Sequence, residues 1–198
     1  MRYPESMHAK RFATMLLGMW LAGSLFMMAV AIGNFQGVER LLEAPEMSAR
    51  QSIKTLGPES ARLLLRHQVG ELNRLYFENW ERVQLALGIV LSVTLLFATN
   101  GGRIHMLVCG FLLLLVLVER FLITPHVASL GRMLDFVPPG VQSPESMRFW
   151  RLHNAYSALE VLKSVTLLGL TGSLLMVGAR RRSPVRNKIN VVDDADHG

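Results

Sequence analysis

Apolar residues in this chain gather into long unbroken runs instead of alternating or recurring on one face. Four stretches stand out: Phe12–Gly33, Val83–Thr99, Ile104–Thr124 and Ala155–Ala179. Each is about 17–25 residues long, the length at which a helix rising about 1.5 Å per residue crosses a hydrocarbon core of about 30 Å. A run such as Phe111–Val118, leucine and valine throughout after the first residue, excludes the in-out alternation of a barrel strand. Helices are the other solution that satisfies backbone polar groups in lipid. The pattern predicts an all-α fold, an integral membrane four-helix bundle.

The connections carry signals of their own. Pro58 follows Gly57 and suits a first helical turn, with Glu59 at the positive end of the helix dipole. From there Leu65, Val69, Leu72 and Tyr76 share one narrow face, and His67, Glu71, Arg74 and Glu78 the opposite one. This amphipathic loop helix, 58–82, runs into the second span without a breaker, so one helix is predicted over Pro58–Thr99. Asn100-Gly-Gly-Arg103 reads as a tight turn that makes spans two and three antiparallel neighbours. Pro125, Pro138-Pro139-Gly140 and Pro144 predict an irregular second loop around a short helix near Val127–Phe136. The organisation is an amino-terminal segment 1–11, a transmembrane domain 12–179, and a basic then acidic disordered tail 180–198.

Composition narrows the class. Of 198 residues 51% are hydrophobic, as expected of a bundle with polar loops, and the formal charge is +6. The excess lies beside the spans, at Lys10-Arg11 and Arg180-Arg181-Arg182, where topology rules and anionic lipid account for it better than nucleic acid. An even number of spans puts both termini on one side, and the dense basic clusters place them in the cytoplasm of a multi-pass protein of the cell membrane, in the manner of a bacterial inner-membrane protein. The first apolar run exceeds the h-region of a signal peptide and is read as a retained anchor. The single cysteine, Cys109, lies within a span and rules out an intrachain disulfide. Eleven methionines, including Met15, Met19, Met27 and Met28, are read as gap fillers in apolar packing, not as soft-metal ligands.

Polar side chains within spans normally face a bundle interior or cavity. On span four His153, Ser157, Glu160, Ser164 and Thr171 fall close together on a helical wheel, and on span two Glu81, Gln84, Gly88, Ser92 and Thr99 do the same. Thr14, Gly18, Ala22, Ala29 and Gly33 give span one a small-residue face for close helix approach. By helical rise, Glu119 of span three lies about 7 Å inside its span and Lys163 of span four about 12 Å inside. Charges at comparable depth should pair, since a lone charge there is strongly disfavoured. The expected polar vestibule, on the side opposite the termini, comprises Glu81, Arg82, Gln84, Glu119, Arg120, His126, His153, Ser157, Glu160 and Lys163. Gly18, Ala22, Gly88 and Ser92 are the expected helix-packing positions.

No phosphate-cradling glycine loop, Gly-x-Ser-x-Gly, His-Glu-x-x-His or metal-spaced Cys/His cluster is present, so no catalytic or metal-ligating residues are assigned. His8 and His105 share the cytoplasmic edge, which keeps a haem- or metal-binding four-helix redox protein as the alternative, although no Cys-x-x-Cys-His attachment signal accompanies them.

Several segments together resemble a known family. They are Gly18-Met-Trp20-Leu-Ala-Gly23 in span one, Ala61-Arg-Leu-Leu-Leu-Arg66 with Glu71-Leu-Asn73-Arg74 before span two, Thr124-Pro125-His126 after span three, and Arg148-Phe-Trp-Arg151-Leu-His153-Asn-Ala-Tyr-Ser157 entering span four. The chain is similar in these to the transmembrane-protein-205-like family, four-span proteins of bacteria and eukaryotes grouped mainly as a domain of unknown function. The resemblance implies a multi-pass helical bundle without an established catalytic activity. Residues and resemblance lead to one expectation: a non-enzymatic membrane protein, either a permease-like module or an accessory subunit of a larger membrane complex. Its expected partners are the lipid bilayer and other membrane subunits or further copies of itself, with no cofactor.

Overall fold

The computed structural model describes residues 7–97, 103–137 and 141–180. The Asn100–Gly102 turn, the end of span two at Thr99, Pro138–Gly140, residues 1–6 of the amino-terminal segment and the tail from Arg181 lie outside the described residues. The described chain is all helix: α1 Met7–Glu43, α2 Met47–Leu56, α3 Pro58–Phe97, α4 Arg103–Val118, a single π-helical turn Glu119–Ile123, α5 Thr124–Leu134 and α6 Pro144–Arg180. Four of these units are long and apolar enough to cross a membrane, the π turn joining α4 and α5 into one of them. This is the architecture of a multi-pass membrane protein.

The helices outrun the apolar stretches that seed them. α3 has 40 residues, or about 60 Å at the helical rise, twice the thickness of a hydrocarbon core. α1 continues from Gly33 to Glu43, and α6 begins at Pro144, well before Ala155. Most of the extra length lies on the side opposite the termini, where it builds a second, polar storey on the bundle. α2, a short helix with no buried residues, caps the α1–α3 connection. It ends at Gly57, whose φ of 82° needs a residue without a side chain, and Pro58 then starts α3.

The short helix expected near Val127–Phe136 is present as α5, but it continues span three instead of standing apart in an irregular loop. Pro125 in an α-helical interior would clash with the carbonyl of Phe121 and remove a hydrogen bond. Widening the turn resolves the conflict: the Thr124 N–H donates to the Glu119 carbonyl, five residues back, and the helix proceeds to Leu134.

Packing around the bundle is cyclic, with α1 against α3 and α6, α3 against α4 and α5, and α6 against α4 and α5. α3 and α6 therefore face each other across the centre. Toward the termini the interior is apolar, with Leu17, Trp20, Leu91, Leu95, Cys109, Leu112, Val116 and Leu167 fully or almost fully buried. Large apolar side chains also cover the outside, among them Phe26, Leu107, Leu114, Val161 and Met176. On a water-exposed bundle such a coat would be an aggregation liability, whereas against acyl chains it is the expected surface.

Candidate functional site

Above the apolar core the bundle centre turns ionic. Lys163 of α6 is fully buried and reaches across the diagonal to α3, where its Nζ donates to Gln84 Oε1 at 2.8 Å. It also donates to Glu160 Oε1 at 2.8 Å, one turn earlier on its own helix, and to Glu119 Oε2 from the π turn. A lysine stem long enough to span the centre explains why one ammonium collects acceptors from three helices. Gln84 Nε2 and the Tyr156 hydroxyl each approach Glu160 Oε1 at 3.4 Å. A second ion pair lies alongside: Glu81, fully buried, accepts from Arg120 Nη1 at 3.4 Å and from the Thr124 hydroxyl. The π turn sets this geometry, since it carries Glu119 toward Lys163 while Arg120 and Thr124 close on Glu81.

Three carboxyl groups thus face two cations, and with all five ionised the cluster carries one net negative charge. Hydrogen-bonding capacity is also left over. Glu119 Oε1 is buried and has no hydrogen-bond partner among the described residues, and the same holds for Trp20 Nε1, Ser24 Oγ and Trp80 Nε1 along the α1–α3 seam. Buried polar groups are nearly always paired, by protein or by ordered water, so each of these atoms marks a place for a further hydrogen-bond partner.

Farther out lies a second polar layer. Arg74 forks onto Asp135, Nη2 to Oδ1 at 2.7 Å and Nη1 to Oδ2 at 3.0 Å, and also donates to Glu71 at 2.6 Å. Arg132 of α5 clasps Glu71 at 2.8 and 3.2 Å, and His67 Nδ1 lies 2.8 Å from Asp135. Two glycines make room for the guanidinium: a β-carbon on Gly131 would come within 2.9 Å of Arg74 Nη2, and one on Gly70 within 3.3 Å. Bonding to Arg132, and then to Arg74, holds the Glu71 carboxyl well below its ordinary value, at about 2. His67, Glu71 and Asp135 have the donor types of a cation site, with ligand atoms within 4.8 Å of one another. Both carboxylates are already engaged by guanidinium groups, so a metal would have to displace Arg74 and Arg132, and the set does not fit a resident ion. Between the two layers Asn34 donates to Asn73 at 2.7 Å, and Phe77 meets Tyr156 edge-on with centroids 5.8 Å apart.

The vestibule expected from sequence is therefore divided. Glu81, Gln84, Glu119, Arg120, Glu160 and Lys163 come together. Arg82 does not: it is exposed and bonds Asn79 at 2.6 Å. His126 is exposed and turned to the carbonyl of Leu122 at 2.9 Å. His153 is exposed and stacks on Phe149, while exposed Ser157 bonds back to the carbonyl of His153. The reason is rotational. The buried face of α6 is centred on Lys163, Leu167, Leu170 and Leu174, about 80° around the helix from the His153–Ser157–Thr171 stripe. Gly18 and Ala22 are likewise exposed, with nothing within 4 Å of a β-carbon on Gly18. Close helix approach occurs at Gly23 and Gly88, and Ser92 bonds the Gly88 carbonyl and meets Cys109 Sγ at 3.2 Å. His105 pairs with Ser173 at 3.2 Å. Thr124, Tyr156 and Asp135 join the polar layers without having been expected there; only the position of Tyr156, one turn before Glu160, signals its role in the sequence.

No family model, no curated protein and no solved structure matches this chain.

Proposed function

We propose that this protein is a non-enzymatic, permease-like membrane module that moves protons or a small monovalent cation through the ionic cluster, which opens to the side opposite the termini. The observation that carries the reading is the bonding of buried Lys163 to Glu119, Glu160 and Gln84, within a cluster whose carboxyls outnumber its cations by one. A net charge in a low-dielectric interior is strongly disfavoured, so the cluster is neutral when it holds one proton or one monovalent cation. The free oxygen of Glu119 supplies a place for it. Intramembrane ionisable groups of this kind mark ion and proton pathways in membrane proteins. The asymmetry of the bundle supports a direction of access: polar layers continue outward from the cluster along α3, while packed leucines and Trp20 close the other end. With Lys10-Arg11 and Arg180–Arg182 cytoplasmic, the open side is external.

Purified protein in liposomes bearing an imposed pH gradient tests the reading. Wild type should collapse the gradient faster than empty liposomes, and Glu119→Gln should return the rate to the empty-liposome level. No acceleration, together with a stoichiometric partner on purification from native membranes, would instead make the chain an accessory subunit. A Soret band in the purified protein would replace both readings with a haem protein.

A further inference from the structure

Arg148 and Arg151 lie one turn apart near the start of α6, both exposed and on one side of the helix. Neither has a carboxylate partner among the described residues. Packing of α5 against α6 brings His126 beside them, and Leu122 and Leu152 complete a groove of about 410 Å³. We propose that this groove binds the headgroup of an anionic phospholipid in the leaflet opposite the termini.

Depth is the first argument. Leu122 belongs to the last turn of the apolar run that ends at Thr124, and Leu152 lies just before Ala155, where the fourth run begins. The groove sits where hydrocarbon gives way to headgroups. Exposed Trp150 and Phe121, at 56% and 64%, mark the same level, as interfacial aromatic side chains do.

Charge and shape give the second. Two guanidinium groups with no internal counter-ion offer paired donors to phosphate oxygens, and His126 adds a third polar contact. Basic pockets between membrane helices are suited to lipid headgroups. The leucine walls match the glycerol and upper acyl region, whereas a free phosphate would use the cations and leave the apolar walls wet. The arginines of the groove stand apart from the ionic cluster, since Lys163 lies 12 residues, or about 18 Å along α6, beyond Arg151, while the Leu122–His126 wall follows directly on the π turn.

The test is native mass spectrometry of the full chain released from nanodiscs of mixed phosphatidylcholine and phosphatidylglycerol. Wild type should retain phosphatidylglycerol in excess of its share. In the double variant R148Q/R151Q that enrichment should fall by about tenfold or more, while Arg82→Gln, an exposed arginine near the same boundary, should leave it unchanged. Circular dichroism checks the fold; should the double variant not fold, each single substitution should lower the enrichment in part. Equal enrichment in wild type and variants would overturn the proposal. Release of the retained lipid by inorganic phosphate would overturn it too, by making the groove a free-anion site.

Discussion

The indole of Trp80 lies directly on the bare α-carbon of Gly23: a β-carbon there would sit 2.1 Å from the end of the ring. An aromatic ring cannot flex away as an alkyl chain does, so Gly23→Ala must push α1 from α3. A loss of about 1–3 kcal/mol is expected, measured by thermal unfolding in detergent. Trp80→Phe shortens the ring and should recover part of that loss in the double variant. Gly88→Ala should be milder, because the nearest obstacle, at 2.4 Å, is the tip of Leu113.

Arg74 is the hinge pin of the outer layer, and its removal would leave Asp135 half-stripped in a site where its side chain is only 11% exposed. Arg74→Ala should destabilise by about 2 kcal/mol, the order of a buried charge-assisted hydrogen bond, and should speed amide exchange in α5. Lysine would not restore the fork.

Glu71 gives the same layer a defined pH response. Its carboxyl is lowered from 4.5 to about 2 in the folded protein, mainly by its bond to Arg132. A lowered folded value means that the stabilisation is complete above 4.5 and disappears as pH falls from there through about 2. Glu71→Gln should therefore lower the melting temperature at pH 7, and the gap between variant and wild type should close on descending toward pH 2. A gap that instead grew in acid would contradict the pairing.

Which of these features the sequence could reveal follows from how membrane chains encode structure. The presence of four membrane-crossing helices was legible because runs such as Phe111–Val118 have no other use, though not how far each helix continues beyond its run, and α3 was legible from Pro58 to Phe97 because nothing breaks it. The depth of Glu119 and Lys163 followed from counting residues along antiparallel helices. Rotation was much less legible. In water the buried face of a helix is its apolar face, but here Leu162, Val165 and Leu168 face outward while Lys163, Glu81 and Gln84 are enclosed. With apolar residues on both faces, contrast around the helix is weak, and His153 and Ser157 were placed on the wrong side. Pro125 misled for a different reason: read alone it ends a helix, and only the π turn before it lets the helix continue.

Topology is open to direct measurement. The basic clusters at Lys10-Arg11 and Arg180–Arg182 predict cytoplasmic termini. A reporter fused at Gly198 and one inserted after Pro45, between α1 and α2, should therefore give opposite signals, the first cytoplasmic and the second external. An external tail would turn the polar storey toward the cytoplasm and reverse the proposed direction of access.

The decisive measurement concerns Lys163 and Glu119. Removing a cation shared by two carboxylates strands both, so Lys163→Met, which leaves Glu119 and Glu160 without their ammonium, should cost about 3–5 kcal/mol, whereas Glu119→Gln leaves Lys163 its bond to Glu160 and should cost less. Removing both leaves neither of the two uncompensated by the other, and of the two carboxyls that remain, Glu81 keeps Arg120 while Glu160 keeps Gln84 and Tyr156 as hydrogen-bond partners. The double variant should therefore be more stable than the sum of the single losses by at least about 1 kcal/mol, the scale of coupling between groups in contact. Stability and transport then separate the two roles of the cluster. If the charges only fix how the helices pack, gradient collapse should return along with stability in the double variant. If they carry the proton or cation, the double variant should fold, resist heat better than Lys163→Met alone, and remain as impermeable as an empty liposome.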